Sequence, residues 1–172
     1  PVGRRGQVPG PGRSCGDDEI MAGFRSSLSA TQLSDSIWRI NLPLIYYSDI
    51  IKAEIVVPSG FCCDFESVPR IPLIYACLGH TSQRGGTVHD YLYRRDCEPM
   101  VTRAQADAIY REISVISAVQ YILESGKEPT AIQMARIHSQ AWAKWAGVRA
   151  GGWRSYHKKS IHWGPDCVKE KK

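Results

Sequence analysis

SIWRINLPLIYYSDIIKAEIVV, residues 36–57, decides the fold. Ile37, Arg39 and Asn41 alternate with Trp38, Ile40 and Leu42, the period of two that a pleated strand imposes on its two faces. Ile50 to Val57 is rich in β-branched residues, whose restricted side-chain torsions suit extended backbone. Pro43 and Pro58 cannot donate to a ladder and mark strand ends, and Pro58-Ser59-Gly60 is a turn signal. These features predict a small antiparallel sheet, closed by a Gly60-Phe61 turn that presents Asp64.

C-terminal to this stretch the period changes. Pro69 to Gly79 is apolar with two prolines and reads as a buried connection with a short helix. Gly85-Gly86 opens a helix expected to run to Arg95. Thr102 is a good N-cap for a second helix, in which Ala106, Ile109, Tyr110, Ile113, Ile116, Val119 and Leu123 follow at helical spacing until Gly126 stops it. Pro129 fits the first turn of a third helix with Ile132, Met134, Ile137, Ala141 and Trp145 as its apolar stripe, and Trp142 and Trp145 are expected in the core. The predicted architecture is α+β, a small N-terminal antiparallel sheet packed against about three helices.

The chain has 172 residues, 43% of them hydrophobic and 23% charged, which supports one buried core and excludes global disorder. Residues 1–20 hold Pro, Gly, Arg and Ser with almost no apolar side chain. They read as a disordered leader, with Met21 as a natural start. Residues 21–147 form the expected domain and 148–172 a basic, aromatic tail. The whole net charge of +5 arises from Gly147 onward, so the basic character belongs to the tail and not to the domain. Trp153, Tyr156, His157 and Trp163 interleave there with Arg154, Lys158 and Lys159, a mixture suited to nucleic acid, phosphate or a membrane surface, or to docking on the domain itself. His157, His162, Asp166 and Cys167 are a weaker metal-binding candidate in the same tail.

No apolar run approaches the roughly 20 residues of a membrane-spanning helix, and no signal peptide is recognisable. The expected location is a cytoplasm or a virion. The six cysteines include no Cys-x-x-Cys pair, which argues against a structural zinc site, and most are expected to be reduced and buried. No P-loop, dinucleotide fingerprint or Gly-x-Ser-x-Gly elbow is present.

Two segments carry the chemistry. One is Gly60-Phe61-Cys62-Cys63-Asp64-Phe65-Glu66-Ser67-Val68-Pro69-Arg70; the other is Val88-His89-Asp90-Tyr91-Leu92-Tyr93-Arg94. With the later Ala106-Asp107 helix they resemble, block by block and in order over residues 36–125, a family of small phage and prophage proteins without an assigned function. That resemblance implies a phage or prophage origin and supplies no activity. The second segment is also similar to the catalytic helix of secreted calcium-dependent phospholipases and of the parvoviral capsid phospholipase domain, where His-Asp-x-x-Tyr recurs. This likeness implies His89 as a water-activating base, Asp90 as a ligand for a divalent cation such as Ca2+, Tyr93 as a supporting hydroxyl and Asp107 as the carboxylate that orients His89. An ester or lipid would be the substrate.

The spacing allows that arrangement. Successive helical residues point about 100° apart, so His89 and Asp90 can border one pocket while Tyr93 lies one turn along on the His89 face. A short loop containing Pro99 joins the two helices and could bring Asp107 to His89. The glycine-rich calcium loop and flanking disulfide cysteines of those phospholipases are missing, so Asp64 and Glu66 would have to complete a hard-cation site with Asp90. Under the alternative, non-enzymatic reading the chain is a virion or tail-associated structural protein. His89 and Asp90 then fix the helix against the sheet, Ser67 caps the segment before Pro69, Arg70 pairs with Asp64 or Asp90, and the basic tail engages phage structural proteins.

Overall fold

The computed structural model describes residues 21–35, 37–64, 83–157 and 161. Within them the chain is α+β, with strands β1 (Gly23–Phe24), β2 (Ala30–Ser34), β3 (Ile37–Ile40), β4 (Leu44–Ser48), β5 (Ala53–Val57) and β6 (Cys62–Cys63) preceding helices α1 (Gln83–Leu92), α2 (Arg103–Glu124) and α3 (Ala131–Gly151). The strands divide into two three-stranded antiparallel sheets, ordered β1-β4-β5 and β2-β3-β6. One sheet was expected; Pro43 ends β3 territory and the chain starts a second ladder after it.

Period-two alternation is realised in β4 and β5. Leu44 pairs with Val57 and Tyr46 with Ile55 on the buried face, while Ile45, Tyr47 and Val56 turn outward. At Gly60 the backbone takes φ +85°, a left-handed conformation that glycine adopts without strain, and its N–H donates to the Ile40 carbonyl at 2.7 Å. The predicted turn is therefore present, and it places Phe61, fully buried, under α1 and leads through β6 to Asp64.

Helix α2 starts as read from the sequence. Thr102 caps Gln105 N–H at 3.2 Å and the Gln105 side chain accepts from Thr102 N–H at 2.9 Å, a reciprocal capping box. Helix α3 starts in the same way, with Thr130 as N-cap and Gln133 as its partner. Pro129 thus stands one residue ahead of the cap and not in the first turn.

The buried face of α3 is Ile137, Ala141, Lys144, Gly147 and Val148. Ile132 and Trp142 are exposed, which corrects the expected stripe. Trp142 packs edge-on against Trp145 and carries the Arg111 guanidinium 4.2 Å above its ring, so surface contacts hold it instead of the core. The core joins both sheets to α1 and α2 through Ile40, Leu44, Tyr46, Val57, Val88 and Ile113. Of the described cysteines, Cys63 and Cys97 are buried thiols as expected, whereas Cys62 is disulfide-bonded. No helix among the described residues is long and apolar enough to cross a membrane.

Candidate functional site

Close approach of α1 to α2 makes the site. A methyl group on Gly85 would stand 3.0 Å from Ile113 Cγ2 and 3.5 Å from the Tyr110 ring, so the absence of a side chain there lets the two helices touch. The end of α1 then meets the second turn of α2. His89 Nε2 lies 3.0 Å from Asp107 Oδ1, with His89 2% exposed and Asp107 fully buried. The Tyr93 hydroxyl donates to the same Oδ1 at 2.5 Å, and Tyr93 and Tyr110 flank the imidazole at ring-centre distances of 4.2 and 5.0 Å. The three residues that the sequence placed together in one cluster are together.

Asp107 has a third partner that sequence reasoning missed. Arg149, near the end of α3, donates to Oδ2 at 3.0 Å, and its carbonyl accepts from Arg103 at 3.3 Å. Its signal lay in helical phase: Ala141, Trp145 and Arg149 follow at intervals of four, a stripe that ends on a charge. Behind Tyr93 the chain comes back once more. Gly152 approaches so closely that a methyl group there would stand 2.9 Å from Tyr93 Cε1. The Tyr156 ring packs edge-on against Tyr93, its hydroxyl donates to the Val101 carbonyl at 2.5 Å, and His157 N–H donates to the Tyr93 carbonyl at 2.8 Å.

These contacts set the protonation states. Burial alone would raise the Asp107 carboxyl, but the hydrogen bonds from His89, Tyr93 and Arg149 outweigh it and hold Asp107 below the usual carboxylate range. Burial pushes His89 below its ordinary value, against the pull of Asp107, so the ring is neutral at neutral pH. Burial and the bond to Asp107 raise the Tyr93 phenol, which stays a donor. A neutral imidazole that donates Nε2–H to an ionised carboxylate carries its lone pair on Nδ1. That Nδ1 is buried and has no hydrogen-bond partner.

Asp90 occupies the neighbouring face of α1. Its Oδ2 is likewise buried without a hydrogen-bond partner. Burial raises its carboxyl well above the usual range, the negative charge of Asp64 raises it further, and Arg94 works in the other direction. The structure therefore brings Asp64 within electrostatic reach of Asp90. Among the described residues no group of three His, Cys, Asp or Glu side chains could hold a metal ion. Glu66, Ser67 and Arg70 lie outside the described residues, as do His162, Asp166 and Cys167 of the tail candidate.

A family profile described as a protein of unknown function (DUF1353) matches residues 38–125, which contain both halves of the His89–Asp107 pair. No curated protein and no solved structure matches the chain.

Proposed function

The chain belongs to the DUF1353 family, proteins of unknown function, so its activity has to be read from the site, and we propose that it is a hydrolase in which His89 activates water beside a divalent cation at Asp90 and Asp64. One observation carries this reading. The two nitrogens of His89 are treated differently: Nε2 is fixed by an ionised carboxylate, while the basic Nδ1 is unpaired, one residue away from the unpaired Asp90 Oδ2. A buried polar atom without a partner costs about 1–3 kcal/mol, and two on adjacent residues call for a functional reason.

In the proposed reaction Nδ1 accepts a proton from water as the water attacks an acyl carbon, and returns it to the alkoxide oxygen that leaves as the ester C–O bond breaks, giving an acid and an alcohol. Asp107 keeps the ring in the required tautomer and stabilises the imidazolium that forms, while Tyr93 and Arg149 keep Asp107 ionised and immobile. Asp90 and Asp64 present hard oxygen donors of the kind Ca2+ prefers, and backbone carbonyls and water would supply the rest of its shell. Such a cation would supply polarisation of the substrate carbonyl and stabilisation of the charge developing on it. An ester or lipid substrate and a phage or prophage origin rest on the resemblances of the His-Asp-x-x-Tyr helix and of the three ordered motifs.

The enclosure of His89, 2% exposed, favours a second reading, in which the same residues form a polar lock in a virion or tail-associated structural protein. His89→Ala separates the two. Hydrolysis of short-chain esters and phospholipids is followed in Ca2+ and in EGTA, beside thermal melts. The hydrolase reading expects Ca2+-dependent turnover that falls to the buffer rate in a variant that melts within a few degrees of the parent. A parent protein without turnover, together with a variant that melts far lower, supports the lock and rejects the hydrolase.

A further inference from the structure

Helix α1 carries its chemistry in two pairs spaced by four. His89 and Tyr93 face Asp107; Asp90 and Arg94 face the end of β6 and Phe61. The first pair is fully explained by its hydrogen bonds and by the hydrolase reading. Arg94 takes no part in either.

Arg94 stands in the turn that closes α1, where its N–H donates to the Tyr91 carbonyl at 2.9 Å. Its guanidinium lies over the Phe61 ring, 5.5 Å from the centroid, and Phe61 is fully buried and packs edge-on against Tyr91. The cation is thus held against a rigid aromatic face, which fixes its orientation. Its Nε is nevertheless buried without a hydrogen-bond partner. Asp90, one turn back, is the obvious partner, yet among the described residues the two share neither an ion pair nor a hydrogen bond, and Asp90 Oδ2 is unpaired as well. Three buried unpaired atoms, His89 Nδ1, Asp90 Oδ2 and Arg94 Nε, thus fall within six residues of one helix and its closing turn.

We infer that Arg94 recognises a phosphate or phosphate-ester group on the molecule that this site takes. The inference rests on the hydrolase reading and gives its substrate an anionic group near the bond that breaks. A guanidinium edge with its Nε free matches two phosphate oxygens at once. Asp90 and Asp64 would repel such an anion when alone, whereas a divalent cation between them would attract it. Binding of the cation and of the phosphate group is therefore coupled, and each tightens the other.

The test is calorimetric titration of the full chain with sn-glycerol 3-phosphate, in Ca2+ and in EGTA, for the parent, Arg94→Gln, Arg94→Lys and Asp90→Asn, with melts to confirm folding. Expected are binding that Ca2+ strengthens, a loss of about tenfold or more in Arg94→Gln, an intermediate loss in Arg94→Lys, and retained Ca2+ binding in both. Sedimentation with phosphatidylcholine vesicles containing phosphatidic acid identifies the source of the group. Binding to vesicles that Arg94→Gln abolishes assigns it to a lipid headgroup, and glycerol phosphate binding without vesicle binding assigns it to a soluble ester. Arg94→Gln binding glycerol phosphate as tightly as the parent overturns the inference. So does vesicle binding that Arg94→Gln leaves unchanged, which assigns the attraction to the net charge of the chain. A parent that binds no Ca2+ but still binds phosphate through Arg94 overturns the cation site while Arg94 keeps its role.

Discussion

Replacing Asp107 with Asn tests the centre of the argument without assuming any substrate. The carboxylate is fully buried and receives three donors: His89 at 3.0 Å and Tyr93 at 2.5 Å on Oδ1, and Arg149 at 3.0 Å on Oδ2. Asn keeps an oxygen for His89 and Tyr93 as a neutral, weaker acceptor, but turns an amide N–H2 toward the guanidinium. Hydrogen bonds to charged groups contribute about 1.5–3 kcal/mol each, and breaking a buried pair costs up to about 5. The Arg149 side chain is 34% exposed and can recover some hydration, so the low end applies to its share. The net expectation is a loss of about 2–4 kcal/mol, which for a domain of this size lowers the melting temperature by roughly 5–15 °C.

The assay is thermal unfolding followed by circular dichroism, repeated down an acid series. The folded-state pKa of Asp107 lies below the ordinary 3.8, so its contribution is complete above that value and is lost only as pH falls through the folded-state value. The gap between parent and variant is therefore widest near neutral pH and closes in strong acid. Melting temperatures that agree within about 1 °C at neutral pH would refute the buried network.

The other predictions concern packing and charge. Gly152→Ala drives a methyl group into the Tyr93 ring and hydroxyl, which Asp107 prevents from moving; a loss of about 1–3 kcal/mol in urea unfolding is expected. Gly147→Ala, by contrast, meets nothing within 4 Å in the interior of α3 and should gain about 0.5–1 kcal/mol, so a loss there would contradict the helix packing described. Lys144 is 4% exposed and burial lowers its pKa, so the folded state resists its protonation. This penalty is full below the folded-state value and disappears as pH rises through 10.5, where the unfolded chain also loses the proton. Lys144→Met should therefore raise the melting temperature at neutral pH and flatten its rise toward alkaline pH, and a lower melting temperature in the variant would show that Lys144 has a stabilising partner.

Local rules explain which features were legible in the sequence. The N-cap at Thr102 and the turn at Gly60 depend on a few neighbouring residues, and both stand where the pattern placed them. The His-Asp-x-x-Tyr spacing fixed which side chains share a face of α1, because helix geometry is set residue by residue. Ile132 and Trp142 are exposed where burial is expected, because an apolar residue near a stripe looks the same in sequence whether it meets a neighbour or solvent.

Sequence by itself determined the α+β class, the bounds of α2 and the placing of His89 and Tyr93 one turn apart on one helix face. Only the tertiary structure decided that Asp107 is shared by His89, Tyr93 and Arg149, residues up to 42 positions away in the chain, and that Arg94 stacks on Phe61. Periodicity states which way a side chain points from its own axis. What it meets there depends on how closely the axes approach, and that is set by the side chains of other elements, down to the missing methyl groups of Gly85 and Gly152.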